Sequence, residues 1–346
     1  MREKISRLAW LVVTWACAAP AMAAPSALFD EGATLDLELE APLKMLKQDR
    51  HGKSEYRPAE LRYLGPAGRR VALPVEVRTR GKTRRDEDVC SMPPLRVRFD
   101  DAASAGTIFA GQPALKLVTY CRDSDSFDQL VLLEYLAYRS YNALTHQSHR
   151  VRLVRISYLE RGKRRTTRYG IFLEDWREVA LRNDLTAEPV DGGVNVAKLN
   201  QEAASRVAVF QYLIGNEDYS LLWPEPDEAC CHNVKPLLDG DGRVVPLPYD
   251  FDYSGLVNAP YAVAKNPRRK VRQRAYRGPC EAQQGLDAAL ELMLHRREDI
   301  YAVFRAQAEL SSAKLKSSLG YLDRFYDLIS DPAQVEKRLR RRCLKS

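Results

Sequence analysis

The hydrophobic pattern of this chain changes period part-way along, and that change is what most constrains its fold. From Leu35 to Asp100 apolar and polar residues alternate, and Leu35-Asp-Leu-Glu-Leu39, Val71 to Val77 and Leu95-Arg-Val-Arg-Phe99 read as strands with one buried face. Gly65-Pro66-Ala67-Gly68 supplies a turn between the first two. A short strand follows over Ala114 to Tyr120, then the polar link Arg122 to Ser126 and a helix over Phe127 to Leu144, with Leu130, Leu133, Leu136/Ala137 and Tyr141 on one face. Val151 to Leu159 and Arg168 to Glu174 predict a hairpin around the basic loop Arg161 to Thr166. Beyond this the period becomes helical. Asn200 to Ile214 carries Val207, Phe210 and Leu213/Ile214 on one face, and Leu315, Leu319, Leu322, Phe325 and Ile329 mark another in the tail. A hairpin, Val234 to Leu238 and Val244 to Leu247 around Asp239-Gly-Asp-Gly242, interrupts the helices. The expected class is α+β, with a β-rich unit over 24–176, a helical unit over 177–346 and a boundary near 176–198.

The first 23 residues read as a secretory leader. Arg2, Lys4 and Arg7 form its basic start, Leu8 to Ala19 its apolar run, and Ala21-Met-Ala23 its cleavage site, so the mature chain begins near Ala24. The apolar run is too short for a membrane anchor and ends at Pro20. A lipoprotein reading through Cys17 is weakened by the bulky Trp15. Export implies a periplasmic or secreted protein. Losing the leader takes the formal charge from +8 to about +6, which suits an anionic glycan or lipid surface; export, despite that charge, argues against sequence-specific nucleic-acid binding. Its 17 Tyr, 9 Phe and 4 Trp are ample core material, which excludes wholesale disorder. The closing Lys337-Arg-Leu-Arg-Arg-Arg342 reads as a solvated helix end or a contact for an anionic surface.

Cys90, Cys121, Cys230, Cys231, Cys280 and Cys343 remain after the leader. An even count in an exported chain predicts disulfides, and adjacent cysteines rarely bond each other. Cys230 and Cys231 are therefore each expected to reach a distant partner, with Cys280 and Cys343 as candidates. Zinc on Cys230-Cys231-His232 is the alternative, disfavoured because the two-residue spacer of zinc knuckles is missing.

Three segments beside the second hairpin carry polar chemistry: Gly215-Asn-Glu-Asp218, Cys231-His-Asn233 and Pro248-Tyr-Asp-Phe-Asp-Tyr-Ser-Gly255. Asp218, Asn233, Asp250 and Asp252 stand at turns or strand ends, where the hairpin would gather them, or they are simple turn residues. A few oxygen ligands suit Mg²⁺ or Mn²⁺ bridging a polyphosphate, and phosphoryl transfer needs such a set, with one Asp orienting the hydroxyl.

On these residues the chain resembles the CotH-type (spore-coat protein H) atypical protein-kinase-like family over about residues 78–258. Leu95-Arg-Val-Arg-Phe99 and Ala114-Leu-Lys-Leu-Val118 are similar to the strand pair that carries the nucleotide lysine, and Leu132-Leu-Glu-Tyr-Leu-Ala-Tyr138 to the helix bearing its glutamate. Tyr169-Gly-Ile-Phe-Leu-Glu-Asp175 is similar to the strand entering the hinge. The resemblance implies a bilobal protein-kinase-like fold, ATP with Mg²⁺ or Mn²⁺ as cofactors, and a protein, envelope or other hydroxyl acceptor. It places Lys116, Glu134 and Glu174 in the nucleotide site, Asp218 as catalytic base, and Asn233, Asp250 and Asp252 on the metal. A strand, a link and two helical turns separate Lys116 from Glu134, a spacing that permits an ion pair.

The chain departs from that family in two places. Fifteen residues separate Asp218 from Asn233, and their insertion, Leu221 to Cys231, is either a flap whose ends stay together or the mark of an inactive site. Only Gly81, in Arg78-Thr-Arg-Gly81, stands where a glycine-rich phosphate loop is expected. The competing functions are a catalytically inactive envelope or assembly binding protein and a metal-dependent phosphoesterase. Cysteine-protease and serine-hydrolase readings fail, because none of His51, His146, His149, His232 and His295 accompanies a nucleophile motif.

Overall fold

The computed structural model describes residues 27–30, 32–65, 68–226 and 228–345. The expected leader, its cleavage site and Cys17 lie outside the described residues, as do Pro66 and Ala67 of the expected turn. The chain opens with β1 (Leu35–Glu40), α1 (Leu43–Gln48), β2 (Arg57–Leu64), β3 (Arg70–Thr79), β4 (Leu95–Phe99), α2 (Asp101–Ser104) and β5 (Ala114–Val118). Helix α3 (Asp125–Asn142), β6 (Val151–Glu160), β7 (Lys163–Leu173) and α4 (Trp176–Leu181) follow. Then come α5 (Gln201–Ile214), the hairpin β8 (Val234–Leu238) and β9 (Val244–Pro248), and α6 (Leu286–His295), α7 (Arg297–Arg305), α8 (Ser312–Ile329) and α9 (Pro332–Arg338).

Among the described residues the first seven strands close into a barrel of order β1-β2-β3-β4-β5-β7-β6. The closing contact is parallel, with Leu35 opposite Val154 and Glu40 opposite Leu159, while the other face-to-face neighbours are antiparallel. This corrects the kinase-like expectation: the N-terminal part is a closed, mixed barrel followed by helices, not a bilobal kinase-like fold with a sheet as its N-lobe. Alternation tells which face of each strand is buried, but not whether the two edges of the sheet meet. Here β1 pairs on both sides, so no edge remains.

The alternation fills the barrel. Leu37, Leu39, Leu61, Leu73, Val75, Val77, Leu95, Val97, Leu115, Leu117, Val154, Ile156 and Phe172 point inward to one core with Phe109 and Tyr158. Strands β6 and β7 are buried on both faces, because Val151, Leu153, Ile171 and Leu173 point outward into a second core. That core also takes Leu130 to Tyr141 of α3, Val207 to Ile214 of α5, and Tyr321 to Ile329 of α8. Helix α3, early in the chain, is thus enclosed by both halves. Burying more than one face removes the amphipathic signal from these elements.

Three disulfides join Cys90 to Cys121, Cys280 to Cys343, and Cys230 to its neighbour Cys231 across a cis peptide bond. They are consistent with an oxidising, extracytoplasmic compartment. The pairing corrects the expectation that Cys230 and Cys231 reach distant partners. Chain ends far apart in sequence pair as a bridge, Pro279 with Leu344, and this brings Cys280 and Cys343 to each other instead. Among the described residues no helix is long and apolar enough to cross a membrane.

Because the Cys280–Cys343 bond closes a loop of 63 residues, the double substitution Cys280→Ser/Cys343→Ser is expected to lower unfolding free energy by about 2–4 kcal/mol, read from urea denaturation.

Candidate functional site

Asp218 is set on a turn that ends α5. The helix stops at Gly215, whose φ of 65° is left-handed, and a Cβ there would lie 2.0 Å from the Tyr321 hydroxyl, so only glycine fits. The Gly255 and Leu256 N–H groups donate to the Gly215 and Ile214 carbonyls at 2.9 Å each, tying this turn to the segment that carries Asp252. Asn216 then accepts the Asp218 N–H at 3.0 Å, and its own amide donates to Gln211 at 3.1 Å.

The hairpin supplies the partners. Asn233 stands immediately before β8 and Tyr249-Asp250 immediately after β9, joined by a Tyr249 N–H to Asn233 carbonyl bond of 3.0 Å. The Asn233 amide donates to the Asp218 carbonyl at 2.8 Å and carboxylate at 3.1 Å, so its side-chain oxygen takes no part in that contact. Asn233 and Asp250 both have positive φ, 52° and 66°, a region that sterics close to most residues and that Asn and Asp tolerate best. The Asp250 N–H donates to the Tyr138 hydroxyl at 2.8 Å, so α3 also positions this turn. The ends of the insertion between Asp218 and Asn233 therefore meet, and the Ser220 N–H to His232 carbonyl bond of 3.0 Å closes them further.

Within that insertion His232 bridges two carboxylates, Asp218 at 3.0 Å and Glu228 at 2.9 Å. Burial opposes its charge, but the bonds to Asp218 and Glu228 outweigh it and push the imidazole up to about 9. His232 is thus an imidazolium at neutral pH that orients Asp218.

Behind these groups lies a closed cluster. Arg84, Glu134, Asp252 and Tyr261 line a cavity of about 10 Å³, roughly one water's worth of space. Arg84 approaches Asp252 at 3.8 Å and donates to the Thr119 carbonyl, and the Tyr261 hydroxyl donates to Asp252 at 3.0 Å. Burial, then the charge of Asp250, pushes Asp252 up to about 7. Glu134 is raised by burial and by Asp252 and Asp250, and one of its oxygens is buried without a hydrogen bond. The structure does not join Lys116 to Glu134; the cation facing Glu134 is Arg84.

Lys116 lies on the outer face of β5, since Leu115 and Leu117 fill the barrel. Its Nζ sits 4.1 Å from the Tyr249 ring centroid, and Lys235 reaches the same ring at 5.6 Å. Burial, then the charges of Arg80 and Lys235, pull the Lys116 ammonium down to about 7, against the opposing pull of Asp250. Among the described residues none of Arg80, Lys116 and Lys235 forms an ion pair. Glu174 follows Leu173, the cross-strand partner of Lys116, but its carboxylate has other partners. Its buried carboxylate is held by Arg150 at 2.9 Å and Arg182 at 2.9 Å and accepts the Arg150 N–H at 2.8 Å, so its oxygens are spent on tying α4 to β6.

The structure thus brings Asp218, Asn233 and Asp250 together at one end of a hairpin, sets Asp252 and Glu134 behind them, places Lys116 in the field of Asp250, and leaves the Glu174 carboxylate on Arg150 and Arg182. Among the described residues no three His, Cys, Asp or Glu side chains are arranged to hold a metal alone. Asn233 and Asp250 fit Mg²⁺ or Mn²⁺ only as a minority of a six-ligand shell, the form such ions take when phosphate oxygens and water supply the rest. Three unpaired cations beside Asp250 fit those phosphates. No family model matches the chain, and no curated protein matches it.

The sequence reading missed Arg80, Arg84, Lys235, Tyr249, His232 and Glu228 as site residues. Lys235 and Tyr249 flank Asn233 and Asp250 directly, and that adjacency was the available signal. Arg84 comes from a short helical turn, Thr83–Arg85, anchored by the Cys90–Cys121 disulfide, and nothing in its sequence context marks it.

Because Lys116 titrates in the fold below the ordinary lysine value of 10.5, its cost to stability is full below about pH 7 and fades as pH rises toward 10.5. Lys116→Met is therefore expected to melt above the wild type at pH 7, with the gap narrowing by pH 10. Glu174→Gln breaks a buried pair with two arginines and should cost about 3 kcal/mol of stability, measured by denaturant titration.

Proposed function

We propose that this chain is an exported phosphotransferase, periplasmic or secreted, that moves a phosphoryl group from ATP to a hydroxyl acceptor with Mg²⁺ or Mn²⁺. One observation carries the reading: Arg80, Lys116 and Lys235, cations without an ion pair among the described residues, lie in one another's field with Asp250 beside Lys116, at the hairpin mouth where Asn233 is bonded to Asp218. The expected CotH-type residue set supports it, here on a barrel followed by helices. The leader and the disulfides support export.

In this reading Lys116, Arg80 and Lys235 hold the phosphate chain, and Tyr249 lies beneath two of those cations. Asn233 and Asp250 would hold the divalent ion, which would supply positive charge against the negative charge developing in the transition state. Asp218, fixed by His232 and Asn233, orients the acceptor hydroxyl and takes its proton. The acceptor oxygen bonds to the γ-phosphorus as the bond to the bridging oxygen breaks, and ADP leaves. Asp252 and Glu134, gathered around Arg84, support the turn from behind.

The melting temperature of residues 24–346 with ATP and Mn²⁺ or Mg²⁺ tests this, beside Asp250→Ala and Lys116→Ala. A rise of several degrees that both variants lose is expected. No shift with either ion would overturn the reading in favour of a non-catalytic binding protein.

A further inference from the structure

Trp223 is 60% exposed, and among the described residues it is the only aromatic ring so exposed. It is nevertheless rigidly held. Its N–H donates to Ser220 Oγ at 2.9 Å and its carbonyl accepts the His232 N–H at 3.1 Å. The preceding Leu222 carbonyl accepts the Val194 N–H at 2.8 Å. One flank of the indole rests on Gly193, where an added Cβ would lie 2.3 Å from the ring. Pro224 and Pro226 stiffen the chain that follows, and the carbonyls of Leu221 and Leu222 lie over the sulfurs of Cys231 and Cys230 at 3.5 and 3.6 Å.

An exposed indole fixed this firmly costs little conformational entropy when a ligand covers it. It belongs to the same loop as His232, whose imidazole is 3.0 Å from the Asp218 carboxylate. The rim beside it mixes signs. Lys265 pairs with Glu225 at 3.0 Å and approaches Asp218 at 3.9 Å, while Lys82 approaches Glu228 at 3.4 Å and donates to the Pro226 carbonyl at 2.8 Å. Each lysine here is thus already paired with a carboxylate, and a rim of such pairs offers both donors and acceptors to the hydroxyls of a neutral polyol.

We propose that the Trp223 loop is a subsite for a neutral sugar ring, stacked by its C–H face on the indole with its hydroxyls at the Asp218 rim. The negative face of the indole attracts polarised C–H bonds, and an apolar aromatic partner would need surrounding apolar surface that this charged rim lacks. That this sugar is the phosphoryl acceptor rests on the function proposed above; the binding itself does not.

Calorimetry of residues 24–346 with chitotetraose and maltotetraose, without nucleotide, tests the subsite. The expected result is saturable binding of at least one, weakened tenfold or more in Trp223→Ala, largely restored in Trp223→Phe, and unchanged between 0.05 and 0.5 M NaCl, since no net charge is neutralised. Circular dichroism of Trp223→Ala checks that the variant is folded. No binding of either sugar up to 10 mM, equal binding by folded Trp223→Ala, or displacement of the sugar by ATP without metal would each overturn it. The melting shift with ATP and Mn²⁺ is read separately. A shift without sugar binding sinks the subsite alone, and sugar binding without a shift sinks the phosphotransferase alone.

Discussion

The buried guanidinium of Arg84 is the point on which both halves of the molecule depend. It comes from the turn between β3 and β4, donates to the end of β5, and faces Asp252 from the helical half and Glu134 from α3. Two carboxylates and no cation in that space would carry a large desolvation cost. With Arg84 present, the turn bearing Asp250 and Asp252 can be drawn against the outside of the barrel. The Cys90–Cys121 bond fixes the loop that delivers this charge, and the Ser91 N–H to Cys121 carbonyl bond of 2.8 Å holds it in place.

The candidate site follows from that docking. Cations stand on the outer face of the barrel and beside the hairpin, carboxylates on the turns after α5 and β9, and the two sets meet across Tyr249. Lys116 and Asp250 each lie in the field of the other, yet Lys116 stays surrounded by like charge. Such a surplus of cations is costly in a fold with nothing to bind and becomes favourable when an anion arrives. The residues that aim the oxygens have another role: Gly215, Asn216 and His232 orient Asp218, and Tyr138 reaches from α3 to the backbone of Asp250.

Much of the local structure was legible. The strands at Leu35, Val71, Leu95 and Ala114, the helix after Ser124 and the short hairpin all stand where alternation and helical spacing put them. Strand β2 escaped notice because Arg57-Pro-Ala-Glu60 opens it without alternation, and β7 begins at Lys163 inside what read as a polar loop. In the site, Asn233 and Asp250 come together from the two ends of one hairpin, and Asp218 joins them from the turn after α5. Glu174 stands at a strand end as expected, but its carboxylate is held by Arg150 and Arg182, partners that its strand pattern does not reveal.

The amino-acid sequence by itself determined the period of most elements and the polar residues at the hairpin mouth, because each depends on neighbours within a few positions. Tertiary structure alone decided that β1 meets β6 and closes a barrel, that Cys280 takes Cys343, and that Arg84 rather than Lys116 faces Glu134. Those outcomes depend on which distant surfaces come together and on where buried charge finds a partner. The free energy of such contacts is shared across the whole core, so no local stretch of sequence records it.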